Sequence, residues 1–229
     1  MTFFRAAMAY ITAILYLSGS LFPAQVLAGD YAENVTAQQF FKEMEKRHHF
    51  DDSELRKLFS RVYRDQRILD LMLKPAEKRL AWREYRKIFL DNVRIRNGIK
   101  FWEENERVIS DASDRYGVPG EIIAAIIGVE TRYGKVTGNH RVISALSTLA
   151  FDYPPRSRFF RNELESFLLL TREEDKSPLE LKGSYAGAMG YGQFMPSSYR
   201  AYAVDSDGDG KRDIWNSRAD AIGSVANYL

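Results

Sequence analysis

The chain of 229 residues contains no cysteine at all. That excludes a disulfide scaffold, a thiol nucleophile and a lipid-modified cysteine, while leaving an exported protein possible if its core is large. Net charge is nearly absent too, at +2, and Lys and Arg are interleaved with acids. There is therefore no electrostatic case for a nucleic-acid partner. No run of apolar residues reaches the roughly 20 needed to span a bilayer. No strand-like alternation of useful length, no internal repeat and no low-complexity tract is present. The expectation is a mainly α protein of one large domain or two small ones.

What is there begins with the N-terminus. A short positive segment to Arg5, an apolar run from Ala6 to Leu17 and the small residues Val26-Leu27-Ala28 form the pattern of a cleavable signal peptide over 1–28. The rest, with 45% hydrophobic and 28% charged residues overall, has the composition of a globular protein. Thr36 is read as the cap of a first helix with Phe40, Phe41 and Met44 on one face. Asp51 starts a second, with Leu55, Leu58, Phe59 and Val62 at helical spacing. A third, around Ile68 to Leu73, must stop before Pro75. Trp82, Tyr85, Phe89 and Val93 stripe the next helix and are assigned to packing, as are Trp102, Ile109, Ala112 and Tyr116 on the one ending at Gly117. Helices are also expected with Val142, Ala145, Leu146 and Leu149 on one face and closed by Pro154-Pro155, over Arg158–Arg172, briefly after Ser177-Pro178, and from Ser217 to the end.

One stretch organises the remainder. From Ile122 to Val129 no side chain carries charge or hydrogen-bonds, so the spacing predicts a helix buried on all sides, with Pro119 at its first position and Gly134 just past its end. Glu130 sits in the last turn, where a carboxylate gains nothing from the helix dipole. Partial desolvation there raises a carboxyl's pKa and suits it to proton donation near neutral pH. The chemistry alone leaves open whether Glu130 is such an acid or is ion-paired, with Arg132 or a distant Arg as partner.

Two further constellations carry chemistry. Lys182 to Tyr199 has glycine at 183, 187, 190 and 192, which permits close backbone approach to a ligand. Its aromatics offer faces for a sugar ring, and Ser184 and Gln193 supply uncharged donors and acceptors. A flexible connector is the competing reading. Asp205 to Asn216 places acids at positions 1, 3, 5 and 9 with Gly208 and Gly210 between them, the spacing of a calcium loop. Asn216 stands at position 12, where a bidentate Glu is usual, so binding on the order of 10⁻⁴–10⁻³ M is expected. The competing reading is an acidic turn without metal.

Glu130-Thr131-Arg132-Tyr133-Gly134, then Ser184 through Tyr199, the Asp-rich loop and Ser224-Val225-Ala226-Asn227-Tyr228 together resemble the lytic murein transglycosylase B family. The resemblance runs from about Thr36 to Leu229. It implies a mainly α, lysozyme-like catalytic domain with an N-terminal helical extension and an EF-hand-like calcium loop. The expected division is 29–117 for the helical region and 118–229 for the catalytic domain, incomplete at its C-terminus. It implies cleavage of the β-1,4 bond between N-acetylmuramic acid and N-acetylglucosamine, leaving a 1,6-anhydro end. Glu130 would be the single catalytic acid and then base. Ser184, Gln193, Tyr185, Met189, Tyr191 and Tyr228 would contact glycan. Asp205, Asp207, Asp209, Lys211 and Asp213 would hold structural calcium, with no organic cofactor. The implied partner is the peptidoglycan glycan strand, met by a periplasmic monomer without a lasting membrane anchor. Competing readings are a calcium-stabilised wall-binding protein without activity and a lysozyme-type hydrolase.

Overall fold

The helices start where side chains satisfy their orphan N–H groups. In the computed structural model, which describes residues 29–73 and 81–229, α1 (Val35–His48) is capped by Asn34. Its side-chain oxygen accepts from Thr36 N at 2.9 Å and Ala37 N at 3.0 Å. The cap is thus Asn34 and not Thr36, since an Asn two residues upstream reaches the same N–H groups. Asp51 caps α2 (Asp52–Phe59) as expected, accepting from Glu54 N at 2.9 Å. The third helix, α3, covers Gln66–Leu73. The signal-like segment 1–28 and the stop at Pro75 lie outside the described residues.

The Trp82–Val93 stripe does not form one packed helix. It is split into α4 (Trp82–Tyr85), a 3₁₀ turn (Arg86–Ile88) and the start of α5 (Asn92–Tyr116). Asp91 causes the break: its carboxylate accepts from Val93 N and Arg94 N, both at 2.9 Å, and so begins a new helix. Trp82 is 73% and Val93 57% exposed. Tyr85 packs instead on its own neighbours, with ring centroids 6.1 Å from Trp82 and 5.1 Å from Phe89. Helix α5 is kinked at Asn105, where the backbone leaves helical geometry (φ −129°, ψ 18°) and the side-chain amide donates to Phe101 O at 2.7 Å. Such an insertion into the ladder is an ordinary cause of a bend. Gly117, at φ 75°, ends it as expected.

Helix α6 spans Gly120–Thr131, so Pro119 is its cap and not its first residue. It is not buried on all sides. Ile123, Ala124, Ile127, Gly128 and Thr131 face the core, but Ile122 is 48% and Val129 46% exposed. The helix buried nearly all round is α7 (Val142–Asp152), which packs on α8 (Ser157–Glu173). Two strands of two residues, β1 (His140–Arg141) and β2 (Lys182–Gly183), pair antiparallel with His140 opposite Gly183. Strands this short carry no readable alternation. Ser177 to Glu180 is a turn closed by Glu180 N donating to Ser177 O at 3.2 Å, not a helix. Last come α9 (Pro196–Tyr202) and α10 (Arg218–Tyr228), the latter capped by Ser217 and packed on α5, α6 and α9.

The buried side chains form one continuous apolar cluster from Tyr31 to Ala226. Phe41 meets Phe59 at 4.7 Å, and Tyr31 anchors the N-terminal end by donating to Asp152 at 2.6 Å. No described helix is long and apolar enough to cross a membrane.

Candidate active site

Glu130 is the penultimate residue of α6 and stands at one wall of a cleft of about 300 Å³. Ile126, one turn back, lies beside it. The facing walls come from Gln193, Phe194 and Met195 of the glycine-rich loop, Ser198 of α9, and Val225 and Tyr228 of α10. Glu130 is the sole acid among these lining residues. It has no hydrogen bond or ion pair to any described residue, so the ion-paired alternative with Arg132 is not realised. Desolvation pushes its carboxyl above the usual carboxylate range. The exposed face of α6 thus has a use: it carries the acid and part of the cleft wall.

The glycine-rich loop is a folded structure and not a flexible connector. Met189 pairs with Phe194 through two backbone hydrogen bonds of 2.9 Å. Gly190, at φ 66°, has no room for a side chain, since a Cβ there would lie 2.6 Å from Ile214 O. Gln193 takes a left-handed conformation (φ 51°), and its amide nitrogen donates to Gly190 O at 3.0 Å and Thr137 O at 3.2 Å. That fixes the side chain and leaves its amide oxygen without a partner among the described residues. Tyr228 is 53% exposed, with its ring edge-on to Phe194 at 5.6 Å and Tyr202 at 5.0 Å.

Of the predicted glycan contacts, the structure gathers Glu130, Gln193 and Tyr228 at one cleft. The others sit elsewhere. Met189 is fully buried and belongs to the core, because its backbone bridges turn its side chain inward. Ser184 Oγ accepts from Ala188 N at 3.0 Å and closes the turn before the cleft. Tyr185 packs partly buried against the core, and the Tyr191 ring covers Gly134. The lining residues missed in the sequence are Ile126, Phe194, Met195, Ser198, Val225 and Leu229. Ile126 stands four residues before Glu130 on the same helical face, a signal that was readable.

In the Asp-rich loop, carboxylate oxygens of Asp205, Asp207 and Asp209 all lie within 4.8 Å of one another. No described Lys or Arg forms an ion pair with any of them. Backbone N–H groups and the Ser217 hydroxyl donate to these carboxylates, but three hard oxygen donors on alternate residues without a described counter-cation have the chemistry to take a divalent cation such as calcium. Asp213 stands apart from this trio: its Oδ1 accepts from Trp215 N and Asn216 N, both at 3.1 Å, and so caps the following turn. Lys211 contributes a backbone N–H to Asp209 at 2.9 Å. A residue that was missed holds the loop closed. Asp220, fully buried at the start of α10, accepts from Ser206 N and Asp213 N at 2.7 Å each. The signal was an acid inside the apolar periodicity of that helix.

Glu130, the glycine-rich wall and the acidic loop all fall within one matched family. Residues 32–229 match the transglycosylase SLT domain. The membrane-bound lytic murein transglycosylase B of Escherichia coli K12 is 49% identical over 89% of this chain and 58% of its own length. The soluble lytic transglycosylase SltB1 of Pseudomonas aeruginosa is 55% identical over 83% of this chain and 64% of that one, with a TM-score of 0.81. The E. coli lytic transglycosylase Slt35, solved in complex with calcium, is 50% identical over 90% of this chain and 66% of that one, with a TM-score of 0.82. The chain therefore spans between about half and two thirds of these relatives. It belongs to the transglycosylase SLT domain family and has its lysozyme-like, mainly helical fold.

Proposed function

We propose that this chain carries the catalytic centre of a peptidoglycan lytic transglycosylase, cleaving the β-1,4 bond between N-acetylmuramic acid and N-acetylglucosamine. One observation carries the reading: a single unpaired, desolvated carboxyl lines the cleft, and no second acid lines it. A two-carboxylate hydrolase needs its second group about 5–9.5 Å away to act as nucleophile or to activate water. A lone carboxyl must instead serve twice. Glu130, whose carboxyl is shifted above the usual carboxylate range by partial desolvation, gives its proton to the glycosidic oxygen as the bond to C1 breaks. The carboxylate then takes the proton from the muramoyl C6 hydroxyl as that oxygen bonds C1, closing the 1,6-anhydro ring and restoring the acid. No water is consumed. The names of the relatives, lytic transglycosylases in each case, support the same reaction class.

Gln193 and Tyr228 serve as glycan contacts at the cleft, the amide oxygen of Gln193 accepting from hydroxyl or acetamido groups and Tyr228 offering a stacking face. Ser184, Tyr185 and Tyr191 act behind this surface by holding the loop. Asp205, Asp207 and Asp209 would hold calcium, with Lys211 and Asp213 as further contributors. Bound there, the ion supplies charge compensation that fixes the loop, and no step of the reaction passes through it. Export by the 1–28 segment to the periplasm, where the glycan strands lie, completes the proposal.

The test is digestion of purified sacculi. The chain should release muropeptides with anhydro ends, and Glu130→Gln should reduce the rate by about 10²–10⁴-fold or more. Sacculus binding without product, unchanged in Glu130→Gln, would favour the wall-binding alternative instead.

A further inference from the structure

Directly after Glu130 the backbone does something unusual. Arg132, Tyr133 and Gly134 are left-handed in succession, at φ 51°, 61° and 82°. Two of the three are not glycine, and such residues persist only where their surroundings over-determine them. The last turn of a helix is also where backbone bonds are fewest and fraying begins. Something must hold Glu130 in place.

Thr131, fully buried, is the group in position to do so. Its hydroxyl accepts from Gly134 N at 3.0 Å and so closes the left-handed turn. It lies 2.8 Å from Tyr191 O and 3.2 Å from Ile127 O. A hydroxyl has one proton, and the shorter contact assigns it to Tyr191. One side chain therefore ties the catalytic helix to the glycine-rich loop. The tie is reinforced from the loop side. The Tyr191 ring lies where a Cβ on Gly134 would come within 2.1 Å, and Tyr191 N donates to Ile214 O at 3.1 Å. Two residues further on is Gln193, on the cleft wall facing Glu130.

We propose that Thr131 is a positioning residue that sets Glu130 against the Gln193 wall of the cleft. It touches no substrate. It acts by fixing two peptide groups, Gly134 N–H and Tyr191 C=O, on segments that are joined further along by the Gln193 amide donating to Thr137 O at 3.2 Å. The kinetic part of this inference rests on the proposed transglycosylase reading, while its structural part does not.

The test compares Thr131→Val, which keeps the shape and removes both hydrogen bonds, with Thr131→Ser, which keeps the hydroxyl. On sacculi the valine variant should lose about 10²-fold in kcat with KM within about twofold, the size expected of an ångström-scale misplacement. The serine variant should stay within about threefold of the wild type. Two readouts need no activity. Amide exchange at Gly134 should accelerate by at least about tenfold in the valine variant. The Glu130 carboxyl, followed by NMR, should titrate closer to the ordinary carboxylate range as water enters the loosened turn. If the valine protein does not fold, Thr131→Ala, which leaves room for water at both peptide groups, is measured in its place with the same expectations. A folded variant lacking the hydroxyl with wild-type Gly134 exchange and Glu130 titration would overturn the proposal, as would a serine variant as impaired as valine. A wild-type chain that releases no product would overturn the transglycosylase reading, and exchange and titration would still decide the role of Thr131.

Discussion

Glu130 draws its character from what surrounds it and not from a partner. Its carboxyl is held above the ordinary carboxylate range by desolvation alone. The folded state therefore keeps this proton to higher pH than the unfolded chain does. Stability from this group is fully present below the unfolded value of about 4.3 and is lost as pH rises through the raised folded value. Melting temperatures of the wild type and Glu130→Gln, measured across this window, should show the variant gaining on the wild type as pH rises. A constant difference would mean that the carboxyl is not desolvated. For the same reason kcat should fall as pH rises through the pKa of Glu130 in the complex, because the general acid must start protonated. This much was readable from an acid placed at the end of an apolar run. Which neighbours face it was not, since Met189 and Tyr191 look as suitable for sugar contact as Tyr228 does. The folded loop puts Met189 in the core and the Tyr191 ring over Gly134, which leaves Tyr228 at the cleft.

Among the elements, those with a deeply buried face were the most legible. The periodicity of α7 and α8 marks apolar faces that the structure buries, and their ends fall within about two residues of expectation. The segment around Trp82 misled because aromatic spacing alone does not distinguish a core stripe from rings packed on one another at the surface; Asp91, a ready cap, was the better signal. Helix α6 misled in a related way. Its unbroken apolar run suggests full burial, yet one face borders the cleft. The Asp-rich loop was legible in its metal-like spacing, but Asp220, which closes it from 14 residues beyond Ser206, was not. Since three of its acids lie within 4.8 Å of one another without an ion pair, added calcium should raise the melting temperature. Binding near 10⁻³ M predicts an increase that continues through the millimolar range. Asp205→Asn should blunt it, and a flat titration would remove calcium from the account.

Over the whole molecule, one apolar cluster holds the N-terminal helices and the cleft-bearing half together. The walls of the cleft come from segments far apart in sequence: α6, the loop around Gln193, and α10. The sequence could mark each segment, but not their convergence, because chain spacing says nothing of which surfaces meet. The central claim is that this converged site, with one carboxyl and no second acid, breaks a glycosidic bond without consuming water. Digestion of sacculi in oxygen-18 water, followed by mass analysis of the muropeptides, tests it most directly. The account predicts anhydro-ended products carrying no heavy oxygen, and a loss of those products in Glu130→Gln. Reducing-end products labelled with oxygen-18 would contradict it and make the protein a hydrolase.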